Sequence, residues 1–275
     1  KNLDNVKIVE ADLAEKSTLT NALRGVDTVA HFAGVLFKHN PEKFLPVTNT
    51  HYFRNLLAAA IEQNVKRVIL ISFPHVEGET TPEHPAKGIL TGSPGSVHAA
   101  TRLEEEKHLF DVCPQHGIEP VVLRLGMVYG KGILMMDAAK IFSKYRMLGI
   151  WRKPVFIHLI SKFDVVKALV AAVENDRVSG IYHIGEEGVQ TLQEFLDEVT
   201  RHWGYRKPWR MPVGLILAAA QMFEWASFLL GAHSPLTKDF VRIGMVSYYG
   251  DTSRMRRELL PELKYKTFRE GLETC

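Results

Sequence analysis

The side chains able to do chemistry gather at a few places in the chain. His98 and Arg102 stand four residues apart on a segment of helical pattern, so they share one face. An imidazole that titrates near neutrality then lies beside a permanent cation. Ser72 closes an apolar run, and His75 and Glu77 follow it on a loop. The two cysteines, Cys113 and Cys275, have neither metal-ligand spacing nor a disulfide framework, and no metal site is expected. No phosphate-binding G-x-x-x-x-G-K-[ST] motif is present, and Gly92-Ser93-Pro94-Gly95 reads as a plain turn. His31, His158 and His183 lie on strand-like runs and read as core histidines. Glu104-Glu105-Glu106 reads as a solvated helix face.

These residues need elements to hold them. Val6–Leu13 reads as a strand ending in a polar turn, and Val26–Gly34 as a second. A helix follows over 43–64, a strand over Arg67–Ser72, a long helix over 96–116 and a strand over 120–125. Buried strands alternating with amphipathic helices specify an α/β fold, a doubly wound parallel sheet with helices on both faces. Such sheets bind ligands beyond the carboxyl ends of their strands. Here those ends are Asp12-Leu13, Phe32-Ala33-Gly34, Ile71-Ser72-Phe73 and Leu125-Gly126. After about residue 130 the pattern loosens. A strand over 156–160 precedes a helix with Asp164 as its N-cap, and Tyr182–Gly185 is another strand end. Thr191-Leu192-Gln193-Glu194 is a capping box opening a helix over 191–203. The division expected is an α/β domain over 1–150 with parts of 151–185, and a smaller, mainly helical lobe over 186–275.

Composition excludes several classes. With 34 Lys+Arg against 31 Asp+Glu, the net charge of +3 is small and dispersed, and no run of basic residues interleaves with aromatics, so nucleic acid is not an expected partner. The cysteine usage and a polar start without a signal-peptide core point to a cytoplasmic, reducing compartment. One stretch complicates this. Residues 212–231 approach the length of a bilayer span, but Gln221 and Glu224 sit in the middle. It reads either as a buried helix of the C-terminal lobe or as a helix lying on a membrane surface.

The order and spacing of these pieces resemble the extended short-chain dehydrogenase/reductase family, the group of nicotinamide-dependent epimerases, dehydratases and 3β-hydroxysteroid dehydrogenases. Val9–Leu13 resembles the strand whose Asp12 and Leu13 meet the adenine. His31-Phe32-Ala33-Gly34 resembles the segment along the cofactor's middle, and Asn49 with 55–60 resembles the following helix. Arg67–Ser72 resembles the strand that leads to the catalytic serine. Leu123-Arg124-Leu125-Gly126-Met127-Val128-Tyr129-Gly130 is similar to the R-x-x-x-V-Y-G loop over the nicotinamide. The resemblance implies NAD or NADP as cofactor and a hydroxyl or keto small-molecule substrate, which the apolar 212–231 stretch inclines toward a hydrophobic one. For 1–150 with parts of 151–185 it implies a dinucleotide-binding Rossmann domain, and for 186–275 a substrate lobe. It implies Asp12, Leu13, Phe32, Ala33, Gly34, Asn49, Ile71, Phe73, Arg102, Leu125 and Val128 as the cofactor-binding set, and a homodimer through the helices at 43–64 and 96–116.

Two departures bear on function. The family's G-x-x-G-x-x-G loop is absent, and the sequence begins after the place where it would stand. The expectation is an N-terminally incomplete chain of poor stability on its own; a cooperative, high-temperature melt of the monomer would overturn it. The catalytic Tyr-x-x-x-Lys pair is also absent. The match puts His98 at the tyrosine, Arg102 at the lysine and Phe73 at the serine, with Ser72 beside it. Two readings stay open. In one, His98 is a substitute acid/base, with Arg102 holding ribose or phosphate and Ser72 serving as the hydroxyl. In the other, His98 packs at a helix start and Arg102 pairs with Glu105 or Glu106. The corresponding functions are an oxidoreductase or epimerase/dehydratase-like enzyme, and a non-catalytic dinucleotide-binding sensor or scaffold.

Overall fold

The computed structural model describes residues 5–35, 40–230 and 237–275. In chain order its first half runs α1 (Lys16–Ala22), β1 (Thr28–His31), α2 (Pro41–Leu45), α3 (Tyr52–Glu62), β2 (Arg67–Ser72), α4 (Val97–Val112) and β3 (Glu119–Leu125). Then come β4 (Met127–Tyr129), α5 (Leu134–Lys144), β5 (Gly149–Trp151), β6 (Phe156–Ile157), β7 (Leu159–Ser161), α6 (Lys162–Glu174) and β8 (Gly180–Ile184). The chain continues through β9 (Gln190–Thr191), α7 (Leu192–His202), β10 (Trp209–Met211), α8 (Val213–Leu230), α9 (Lys238–Gly244) and α10 (Phe268–Gly271).

The main sheet is parallel throughout, in the order β1-β2-β3-β8. Its central strands β2 and β3 are buried on both faces, which is why they read as near-continuous apolar runs, whereas β1 exposes Ala30. Strand alternation divides their side chains. Val68, Leu70 and Val122 enter one core with Phe53, Leu57 and Leu109, while Ile69, Val121 and Leu123 enter the opposite core with Ala168 and Ala172 of α6. Two further cores lie beyond the sheet: Tyr129, Ile157, Phe195 and Phe268 form one, and Ile150, Trp151, Ile216 and Val241 the other. Residues from 129–160 and from 192–268 share them, so the two halves interleave.

Several expectations are corrected. Val6–Leu13 forms no strand, and Val6, Ile8 and Val9 are exposed. Among the described residues no strand pairs with this segment, and an unpaired stretch leaves its backbone groups to water. The helix over 43–64 is not uniform. It opens at Pro41 and winds as a π-turn over Pro46–His51 before α3. Pro46 has no N–H to donate, and the Tyr52 N–H reaches back to the Val47 carbonyl. That turn drives Asn49 and Thr50 inward toward α4, where both are buried. The cap of α6 is Ser161, whose Oγ accepts the Asp164 N–H. Asp164 lies inside the helix, its carboxylate accepting the Lys264 and Tyr265 N–H groups at 2.6 and 3.2 Å. The Thr191–Glu194 capping box forms as read.

Candidate active site

An open cavity of about 800 Å³ lies beyond the carboxyl end of β1. Asp12 and Leu13, leading into α1, line one side, and Ala33, Gly34 and Val35 line another. Asp12 is fixed by its neighbours: its N–H donates to Thr18 Oγ1 at 2.9 Å, and its carboxylate accepts the Ala14 N–H. A Cβ on Gly34 would sit 3.1 Å from Arg102 Nη2, so the small residue lets the guanidinium close on the backbone here.

Ser96 starts α4 by accepting the Ala99 N–H, and the first turns carry His98 and Arg102. His98 is tied on both nitrogens. Nδ1 lies 2.7 Å from Asp239 Oδ2 of α9, and Nε2 lies 3.2 Å from the Val35 carbonyl. Only a doubly protonated ring could donate to both; a ring with one proton gives up one of them. Arg102 Nη1 is 2.6 Å from Glu105 Oε2, close but without hydrogen-bond alignment, and its Nη2 donates to the Ala33 carbonyl at 3.4 Å. Burial pushes the Glu105 carboxyl up to about 7; Arg102 opposes the rise and Glu106 adds to it. His31, across from Arg102, is pushed down to about 4 by burial and by that cation. Asn49 donates to Thr101 Oγ1 at 3.1 Å, and its own Oδ1 is buried without a partner.

Behind this lies a buried cluster around Arg124. Its Nε and Nη2 donate to the two oxygens of Glu106, its Nη1 to Glu77, and its Nη2 also to the Ile89 carbonyl at 2.9 Å. Glu77 further accepts the Lys87, Gly88 and Ile89 N–H groups at 2.9, 2.7 and 3.1 Å. Burial pushes the Glu77 carboxyl up, but His183, those N–H groups and Arg124 together pull it down to about 2. Ser72 belongs to this cluster. Its Oγ donates to Glu106, and the residue is buried. Strand alternation turns Ser72, expected as the reacting hydroxyl, toward α4, where its hydroxyl is engaged by Glu106. Glu105 and Glu106 are likewise not a solvated face, since both are 0% exposed.

The remaining cofactor-binding candidates are dispersed. Asp12, Leu13, Ala33 and Gly34 line the cavity. Phe32 is exposed, Asn49 is buried on Thr101, and Phe73 packs beside His75. Ile71, Leu125 and Val128 pack against the α6-side core. A smaller cavity of about 200 Å³ opens between α4 and α9, lined by His75, Ser96, Val97, Asp239 and Arg242 among others. Burial holds the His75 ring down at about 4, and the ring lies 4.2 Å from that of Tyr248. Arg124, Glu106 and Asp239 were missed at the sequence level. The tight acidic run at 104–106 was a usable signal for Glu106, because three adjacent carboxylates on a helix cannot all face the same way.

A sequence profile of the NAD dependent epimerase/dehydratase family matches residues 1–185. The chain belongs to that family. The uronate dehydrogenase of Pseudomonas syringae pv. tomato is 30% identical over 128 residues, covering 45% of this chain and 44% of that protein. Isoform 2 of the 3β-hydroxysteroid-dehydrogenase/decarboxylase of Arabidopsis thaliana is 25% identical over 279 residues, covering 92% of this chain and 49% of that protein. The chain thus spans about half the length of these curated relatives. The same fold occurs in the UDP-glucose 4-epimerase of Thermus thermophilus, solved with NAD: TM-score 0.72 at 19% identity, over 99% of this chain and 86% of that one. It also occurs in the dTDP-glucose 4,6-dehydratase of Streptomyces venezuelae, with TM-score 0.74 at 17% identity over 96% and 76%.

NAD is the cofactor of this family. The cavity beyond β1 fits part of it. Asp12 and Leu13 offer a polar edge and an apolar wall, and Gly34 leaves the backbone open beside a guanidinium. Among the described residues no group of His, Cys, Asp and Glu is arranged to hold a metal.

Proposed function

We propose that this protein is an NAD-dependent oxidoreductase of the epimerase/dehydratase type, acting on a hydroxyl or keto carbon, in which His98 replaces the family's tyrosine as the proton-transfer group. The observation that carries the reading is the contact between His98 Nδ1 and Asp239 Oδ2 at 2.7 Å. A carboxylate on Nδ1 holds the proton there and leaves Nε2 with its lone pair. Nε2 now faces the Val35 carbonyl at 3.2 Å, a contact that a substrate hydroxyl replaces with a better one. Bound NAD supplies the hydride acceptor. Arg102, beside Gly34, is the cation for ribose or phosphate oxygens, and Asp12 with Leu13 forms the adenine end. Residues 1–150 with parts of 151–185 form the dinucleotide-binding part in this reading, and 186–275 the substrate lobe.

The test is NAD titration followed by turnover on a panel of uronates, nucleotide sugars and hydroxysteroids, read as nicotinamide absorbance. His98→Ala lowers kcat by about 10²–10⁴-fold, the usual worth of a general acid/base. Asp239→Asn lowers it less and leaves the Kd for NAD unchanged. Turnover unaffected by His98→Ala sinks the assignment.

A second reading is favoured by a specific observation. Ser72, Arg102 and both nitrogens of His98 already have protein partners. In that reading the protein binds the dinucleotide without chemistry, as a sensor or scaffold. NAD binding with no turnover on any of the panel selects it.

A further inference from the structure

The helix α8 is apolar on two opposite faces. Its inward residues Ile216 and Ala220 are buried with Ile150, Trp151 and Val241. Its outward residues Leu215, Ala218, Met222 and Trp225 recur at helical spacing, and Leu215, Met222 and Trp225 are 56%, 69% and 66% exposed. The two polar side chains of its middle leave this stripe unbroken. The Lys238 ammonium donates to Gln221, and Glu224 Oε1 accepts the Lys238 N–H at 2.9 Å. Both are therefore spent on α9. A large exposed apolar stripe is unusual on a soluble surface and marks an interaction site.

A basic, aromatic patch adjoins the start of this helix. The parallel pairing of β5 with β10 brings 144–153 and 206–210 together. These segments hold seven Lys and Arg and no acid, so the sequence-level reading that no basic run interleaves with aromatics is corrected by the pairing of two short ones. Asp197 engages Lys207 and Arg210 at 3.3 and 2.8 Å. Among the described residues, Lys144, Arg146, Arg152, Lys153 and Arg206 have no carboxylate within ion-pair distance, and all five are exposed. Trp209, Tyr145 and Met147 are exposed between them, and the Trp209 indole donates to the Arg146 carbonyl at 3.0 Å.

We propose that this face docks on the surface of an anionic lipid bilayer. An apolar helix stripe, flanking Trp and Tyr and unpaired basic residues are what the boundary between headgroups and acyl chains accepts. No described helix is long and apolar enough to cross a membrane, so the contact is peripheral. A polyanion such as nucleic acid matches the charge but leaves the stripe uncovered. A second copy meeting the same face covers the stripe but sets like charges against each other.

The experiment is co-sedimentation of the protein with phosphatidylcholine vesicles with and without phosphatidylglycerol. The protein pellets with the anionic vesicles, stays in solution with pure phosphatidylcholine, and is released by high salt. Arg146→Glu with Lys153→Glu weakens binding by at least about 20-fold, at roughly fivefold per basic residue. Trp225→Glu abolishes it, with an unchanged circular-dichroism melt as the folding control. Three results overturn the proposal: no pelleting at any composition, equal pelleting of wild type and Trp225→Glu, or a lipid-free dimer that shields Trp225 fluorescence from quenchers.

Discussion

Replacing Arg124 by methionine lowers the stability of the protein by about 3–5 kcal/mol, the cost of leaving buried charges without their counterion. Arg124 is fully buried with Glu106, and Glu77 is nearly so. Methionine keeps much of the volume and removes all the donors, so two carboxylates, one of them also held by Ser72, lose their neutralising partner. Denaturant unfolding of both proteins checks this. The double substitution Glu106→Gln with Arg124→Met recovers part of the loss, because one stranded charge is then gone. A loss for Arg124→Met below about 1 kcal/mol, the range of exposed pairs, would contradict the picture of a desolvated cluster.

Stability peaks near pH 6.5 and falls on both sides. His31, His75 and His158 are each held down at about 4, chiefly by burial. Below 6.5 the unfolded chain takes up protons that these rings refuse in the folded one, so acid destabilises. Glu105 and Glu186 have the opposite sign, pushed up by burial to about 7 and about 8. Between pH 4.5 and their folded values they hold protons that the unfolded chain has released, so alkali destabilises. From 6.5 down to 4.5 the three rings outweigh the two carboxyls by one proton, His108 adds to them in the upper part of that range, and the slope is at least about 1.4 kcal/mol per pH unit. Below 4.5 the unfolded carboxylates protonate too and the fall steepens. From 6.5 to about 7 the two carboxyls act alone, and stability falls by about 3 kcal/mol per unit. Melting temperature against pH for the wild type and for Glu186→Gln checks the sign: the variant flattens the alkaline limb and steepens the acid one. A wild-type protein most stable above pH 8 would refute it.

The sheet was legible because its signal is local. A strand buried on both faces is apolar along most of its length, and Val68–Ile71 within β2 and Pro120–Leu123 within β3 are so. The capping box at 191–194 needs only two side chains three residues apart. The site is less legible because its partners are remote. Asp239 reaches His98 across 141 residues, and nothing near either of them marks the pair. Glu105 and Glu106 read as solvated because carboxylates in a helix usually are; Arg124, on the strand that follows, and Ser72 make the burial of Glu106 tolerable. Val6–Leu13 has the composition of a strand, but a strand also needs a neighbour, and composition cannot supply that.

The helix α4 carries the imidazole on its first turn and the Arg124 anchor eight residues later. A slip of this helix by one residue would bring Lys107 to the seat of Glu106 and put two cations together in the core. The pairing of Glu106 with Arg124 resists such a slip, and His98 stands on a helix held in that way. In the proposed reading, the partners that must yield to a substrate at this imidazole are the two that come from outside the helix, Asp239 and the Val35 carbonyl.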